Sequence, residues 1–311
     1  MNTKSYFSFS RLALVMKRDL MENWKMNLYT FLGIFLAFLG VYLSQMYDYN
    51  DSVHGGVLDA YQTVDRYISH HTGAFSVITS CLLFYFASES MRNMRTKEQR
   101  LSYLMLPATK LEKFVSRALF VTIGIFVMIL LASLLAEAVH WAFMPFFENL
   151  SDKFKICVWP EVWDEIWEMI SPFKTRKVIL APLDYNNLPE TLPWVEKSMF
   201  IEIMLAYLVA LWFHSLYILG GNYFGKYAFF KTSGMLILIG VVVGYILSNI
   251  NPKEYFDWFE EFVRMNEHWL TEDVAVGVTG FIVFCFIVLN WWLSYKLFTR
   301  QQVIKPKFRL L

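Results

Sequence analysis

Residues 118–144 read ALFVTIGIFVMILLASLLAEAVHWAFM, with a single acid, Glu137, and no Lys or Arg. An α-helix rises ~1.5 Å per residue and the hydrocarbon core of a bilayer is ~30 Å thick, so about 20 apolar residues cross it. This stretch is longer than that, which predicts a membrane-spanning helix that tilts or projects from the bilayer. Working outward, five further apolar stretches appear, at roughly 27–46, 71–87, 198–220, 232–250 and 277–295. Not one of the 28 basic residues lies inside any of the six. The predicted class is therefore an all-α polytopic membrane protein with six transmembrane helices.

The bulk composition agrees. Charged residues are only 18% of the chain and apolar residues 56%, whereas soluble domains carry about a quarter charged residues. The net charge of +1 hides a strong asymmetry. The N-terminal segment, the connectors 88–117 and 221–231 and the C-terminal tail hold 19 basic and 5 acidic residues; the other connectors hold 9 and 20. Basic residues near span ends stay on the cytoplasmic side. Both termini and the connector 88–117 are expected in the cytoplasm, in a cell membrane of the bacterial cytoplasmic type. The segment 145–197 is then an extracytoplasmic insertion. Cys81 and Cys285 fall in spans and Cys157 outside, which excludes a disulfide scaffold. The chain's start contains Asp19 and Glu22 and lacks a compact apolar core, so no signal peptide is expected.

Several elements outside the spans have their own pattern. In the segment 1–26, Phe9, Leu12, Ala13, Met16, Leu20 and Trp24 recur every three or four residues, predicting an interfacial helix over 7–25. Tyr42, Tyr47 and Tyr49 read as an aromatic anchor at the outer end of span 1. In 145–197, Pro160 opens a short amphipathic helix closed by Ser171-Pro172, and Pro182, Pro189 and Pro193 argue for an irregular cap after it. Asn251-Pro252 opens an outer amphipathic helix over 252–270. The remaining divisions are spans 1–3 in 27–144, spans 4–6 in 198–298, and a basic tail, 299–311.

The cytoplasmic segment 88–117 mixes charge with Leu101, Leu104, Leu106, Leu111 and Phe114. Pro107 disfavours helix at Leu106 and favours a new helix after it. The expected shape is helix, break, short helix, then span 3. Glu98, Leu104, Leu106, Pro107, Glu112 and Arg117 stand where the permease subunits of ABC-2 type transporters have an acid, a leucine pair, a Pro, a Glu and a basic residue before the third span. The local resemblance covers about 20 residues; the layout of interfacial helix, six spans and outer helix resembles that family over nearly the whole chain. The insertion 145–197 is longer than usual there, and Arg117 stands where Lys is frequent.

The resemblance implies the membrane subunit of a transporter, exporting a substrate with ATP hydrolysed on a separate cytoplasmic ATPase subunit. Two permease copies or paralogues would then share one path. Glu98, Leu104, Leu106, Pro107, Glu112, Lys113, Phe114 and Arg117 would receive the ATPase's motion. The alternative is a non-transporting sensor or assembly protein that binds a ligand or protein through its outer segments.

Acids inside spans are candidate functional residues. Glu137 lies ~28 Å beyond the inner start of span 3 and Glu202 ~6 Å below the outer start of span 4, both near the outer interface. Glu137 and His140 share one helical face, but one such pair is not a metal site, and no cofactor is expected. His214, ~24 Å from the outer end of span 4, suits a helix–helix hydrogen bond. Gly240 and Gly244 permit close helix packing, whereas Gly221 and Gly225, with the same spacing, fall in the predicted connector. No phosphate-cradling loop, nucleophile–base pair or nucleic-acid motif is present in the sequence, so neither an enzyme nor a nucleic-acid partner is expected.

Overall fold

The computed structural model describes residues 7–54, 60–94, 96–143, 167, 171, 175–179, 194–198, 200–249 and 272–300. The expected all-α membrane architecture holds: among the described residues, six helical segments are long and apolar enough to span a bilayer, at Trp24–Asp48, Tyr67–Ser88, Lys110–Phe143, Phe200–Phe224, Ala228–Ile246 and Val276–Thr299. The chain divides into two compact units.

The first unit contains residues up to Glu165 together with His214–Leu236 and everything from Leu289. It opens with helix α1 (Phe9–Glu22). The helix ends at Asn23, whose backbone and side-chain nitrogens both donate to Asp19 O. Helix α2 (Trp24–His54) begins at the next residue. The expected helix over 7–25 is thus two helices meeting at Asn23. Its buried stripe also differs: Leu12, Val15 and Asp19 face the protein, while Phe9, Leu20 and Trp24 of the expected apolar face are exposed.

Helix α2 packs most extensively on α6 (Ile125–Phe143). Ile34, Phe38, Tyr42 and Met46, four residues apart, form its buried stripe. The facing helix buries Ile125, Ile129, Ala132, Ala136 and His140. Lipid tails are as apolar as leucine, so helices associate in a bilayer through packing and hydrogen bonds, which small residues such as Ala132 and Ala136 favour by letting backbones approach. Helix α3 (Ala60–Ser88) packs on both α2 and α6.

After α3 comes a 3-10 turn, Arg92–Met94, then α4 (Lys97–Leu104) and α5 (Lys110–Leu119). Each helix starts in a capping box. Thr96 pairs reciprocally with Gln99, and Thr109 with Glu112, so two of the N–H groups a helix start leaves unpaired are satisfied each time. The break falls at Met105–Ala108, around Pro107, where the sequence placed it. From α5 the chain runs through a π-turn, Phe120–Gly124, into α6 without interruption. The whole run, Lys110–Phe143, has 34 residues. At ~1.5 Å per residue this exceeds ~30 Å of hydrocarbon by several turns, so α5 extends the spanning helix rather than forming part of a flexible loop.

Helix α7 (Phe200–Phe224) runs one turn further than the 198–220 stretch. Gly225 follows with φ +68°, the left-handed conformation that ends helices and that glycine adopts without strain. Helices α8 (Ala228–Asn249) and α9 (Glu272–Thr299) complete the spanning set.

The second unit contains Ile166–Phe213 and Ile237–Val288. There Gly280 of α9 lies against Leu205 and Leu208 of α7. Strands β1 (Thr175–Ile179) and β2 (Trp194–Ser198) pair antiparallel, with Thr175 opposite Ser198 and Ile179 opposite Trp194. Pro182, Pro189 and Pro193 give no sign of this pair, because it uses the proline-free runs on either side of them. The expected outer helix 252–270, Cys157 and the tail beyond residue 300 lie outside the described residues, as does the expected helix after Pro160 except for Trp167 and Ser171.

Candidate functional site

The segment between α3 and α6 is braced from within. Helix α5 turns its polar residues inward: Glu112, Lys113, Ser116 and Arg117 are all buried, with Phe114 between them. Glu112 Oε1 accepts the backbone N–H of Ser8 at 2.7 Å and the Arg11 guanidinium at 2.9 Å. Its Oε2 accepts the backbone N–H of Thr109 at 2.7 Å. One carboxylate therefore serves the N-termini of α1 and α5 together.

One and a half turns along, Arg117 pairs with Asp19 of α1 at 3.2 Å and lies over the Tyr103 ring at 5.1 Å. Burial pushes the Asp19 carboxyl above its ordinary value, and the Arg117 guanidinium pulls it back only in part. Burial likewise raises the Tyr103 hydroxyl. The two ion pairs run in opposite senses, Arg11 to Glu112 and Asp19 to Arg117, so α1 can dock on α5 in only one register.

Helix α5 is also tied to α4 and α9. Lys113 Nζ donates to Leu104 O at 2.7 Å and Tyr103 Oη donates to Lys113 O at 2.7 Å, joining the end of α4 to α5. Lys110 Nζ donates to Thr299 O, at the end of α9. Phe114 packs against Trp291, Tyr295 and Phe298. The other side of the element is open. Met105 is 75% exposed, Leu101 44% and Leu111 41%, and Glu98 and Pro107 are exposed with them. The sequence-predicted set thus splits: Glu112, Lys113, Phe114 and Arg117 brace the element, Leu104 and Leu106 are half-buried, and Glu98 and Pro107 face outward.

A second polar centre sits among α2, α3 and α6. Glu137 Oε1 lies 3.3 Å from His140 Nδ1, and Oε2 lies 3.0 Å from His71 Nε2 of α3. The other ring nitrogen of His140 is 3.1 Å from Tyr67 Oη. Tyr42 of α2 is buried and stacks on His71 at 3.8 Å between ring centroids. Sequence spacing found Glu137 with His140 and stopped there. The structure adds His71, near the start of the second span, and Tyr42, read among the anchoring tyrosines: both are buried partners of Glu137 and His140, while Tyr47 is exposed. Among the described residues no group of His, Cys, Asp and Glu is arranged to hold a metal ion.

The glycines divide differently from the sequence reading. A Cβ at Gly221 would collide with the Ser88 carbonyl oxygen of α3, and one at Gly220 with the Thr232 side chain of α8. Gly240 and Gly244 have nothing within 4 Å of that position among the described residues. Gly221 was read as connector; it lies inside α7 at a close helix crossing. His214 is buried in α7, and its Nε2 has no hydrogen-bond partner. Asn290 donates to Ser215 Oγ at 2.9 Å, a buried polar link between α9 and α7. Glu202 stands in the first turn of α7, in the second unit. Compared with known protein families, with curated proteins and with solved structures, the chain matches none.

Proposed function

We propose that this chain is the membrane subunit of an ABC-type transporter, in which α4, the turn at Pro107 and α5 receive the motion of a separate ATPase. The observation that carries this reading is the construction of that element. It is fixed internally to α1, α4 and α9, continuous with the spanning helix α6, and exposes Leu101, Met105, Pro107 and Leu111 among polar residues such as Glu98 on its outer side. An element that transmits force needs stiffness behind it and a contact surface in front; buried ion pairs supply the first, and Leu101, Met105, Pro107 and Leu111 supply the second. In this reading both termini and the α4–α5 element face the cytoplasm, a second copy or paralogue completes the path, and ATP is hydrolysed on the partner.

The test is co-expression with an ATP-binding-cassette subunit encoded beside this chain. The two should copurify, with ATPase activity dependent on this chain. Met105→Arg with Leu111→Arg should abolish copurification while leaving membrane insertion and thermal unfolding in detergent unchanged, because both side chains are exposed. A stable complex formed only with partners on the 145–197 side would instead support the sensor or assembly reading.

A further inference from the structure

Helix α1 has two unlike sides. Leu12, Val15 and Asp19 are buried, Asp19 pairs with Arg117, and Arg11 reaches Glu112. The other side is exposed and mostly apolar. Phe9 is 78% exposed, Leu14 66% and Met21 65%, and Ala13 and Leu20 are exposed with them. At about 100° of rotation per residue, Phe9, Ala13 and Leu20 fall on one flank of Lys17, and Leu14 and Met21 on the other. Lys17 is itself exposed, and it is the one charged residue within that arc of the helix. An exposed apolar surface of this kind marks contact with a membrane or a partner.

The first unit marks the level of the bilayer surface independently. Lys25 lies over the Trp24 ring at 5.8 Å, Lys231 over Phe224 at 5.9 Å and Lys296 over Trp292 at 3.6 Å. All three lysines are exposed. Six spans alternate in direction, so the start of the first, the turn between the fourth and fifth, and the end of the sixth lie on one side. Aromatic rings sit at headgroup level, and lysines beside them extend toward the phosphates. Only Asn23 separates α1 from Trp24, so the exposed side of α1 begins at that level. Its charge selects the lipid. Asp19 is paired with Arg117, and Glu22 with Arg18 at 3.3 Å, which leaves the exposed arc positive through Lys17. An apolar helix side with a basic residue in it binds anionic lipid in preference to neutral lipid.

We propose that the exposed side of α1 is a docking surface for anionic phospholipid headgroups, with Lys17 meeting the phosphate and the apolar flanks entering the acyl boundary. The lipid then holds α1 from one side while Glu112 and Arg117 hold it from the other. Anionic lipid strengthens the docking of α1 on α5, and neutral lipid alone leaves it looser. The inference stands apart from the transporter reading, since it concerns only what keeps α1 in place.

The experiment uses the full-length chain in nanodiscs of phosphatidylcholine alone or of an equal mixture with phosphatidylglycerol, and hydrogen exchange of the α1 amides read by mass spectrometry. One lysine near an anionic surface changes an equilibrium about fivefold. Exchange in α1 should therefore be about fivefold slower in the mixture, while the amides of α6 exchange alike in both. Added salt should shrink the difference. Lys17→Gln should remove it and Lys17→Arg should keep it. In phosphatidylcholine alone both variants should exchange as the unaltered chain does, because the side chain is exposed. Equal exchange of α1 in the two bilayers, or a difference that survives Lys17→Gln undiminished, would overturn the proposal. Slowing of α1 that appears only when a cytoplasmic protein is added, and equally in both bilayers, would overturn it too and assign this side to that protein.

Discussion

Glu112 Oε1 accepts the backbone N–H of Ser8 at 2.7 Å across 104 positions of sequence. Ser8 is the N-cap residue of α1, yet its own side chain makes no capping bond. The cap of α1 is supplied by α5, and the same carboxylate closes the capping box of α5 through Thr109. Local helix chemistry and long-range docking are thus one interaction.

Replacing Glu112 tests that union. Glu112→Ala orphans the Ser8 and Thr109 backbone N–H groups and leaves Arg11 without its partner. A lost cap costs about 1 kcal/mol and breaking a buried ion pair about 3–5 kcal/mol; because Arg11 remains partly exposed, the expected total is about 2–4 kcal/mol. Glu112→Gln keeps one acceptor oxygen and should lose less. Thermal unfolding in detergent measures the loss, and limited proteolysis should cut near α1 first.

The second ion pair is more deeply enclosed. Arg117→Met leaves Asp19 buried and unpaired, at a cost of about 3–5 kcal/mol. Adding Asp19→Asn should restore a large part of it, giving a coupling energy of about 1–3 kcal/mol in a double-mutant cycle on denaturant unfolding. Simple additivity of the two changes would mean that the pair does not hold α1 to α5.

The glycines separate packing from pattern. Gly221→Ala forces a methyl group against the Ser88 carbonyl oxygen, and overpacking of this kind costs about 1–3 kcal/mol. Gly240→Ala meets nothing among the described residues and should raise helix stability by up to about 1 kcal/mol through propensity alone. Unfolding of the two variants in the same detergent compares them directly. Loss of self-association in Gly240→Ala without loss of stability would assign that face to a second copy.

Asn290 offers a check on polar links in the spans. Interhelical hydrogen bonds in membranes average about 0.6 kcal/mol, so Asn290→Leu should cost little. Asn290→Asp places a carboxylate where Ser215 now accepts and should cost several-fold more, seen as lower yield of folded protein after solubilisation.

What was legible in the sequence was whatever depends on composition and short-range spacing. Six spans follow from uninterrupted apolar length. The helix–break–helix of 96–119 follows from Thr-x-x-Gln, Pro107 and Thr-x-x-Glu, each confined to a few neighbouring residues. Asn23, by contrast, carries no breaking signal strong enough to divide 7–25 from span 1; its two bonds to Asp19 O divide them. Gly225 was legible as a glycine but not as the true end of α7, because helix ends depend on which backbone conformation the following contacts select.

By itself the sequence determined that the chain is a six-span helical membrane protein with a structured element between the second and third spans. Tertiary structure decided which side chains meet. It turned Glu112 and Arg117 inward as braces, brought His71 and Tyr42 to Glu137, and put a close helix crossing at Gly221. The physical reason is range. Hydropathy and capping act within a turn or two of helix, where spacing can be counted. Ion pairs, stacking and backbone approach join residues tens of positions apart, and those meetings are set by how whole helices pack.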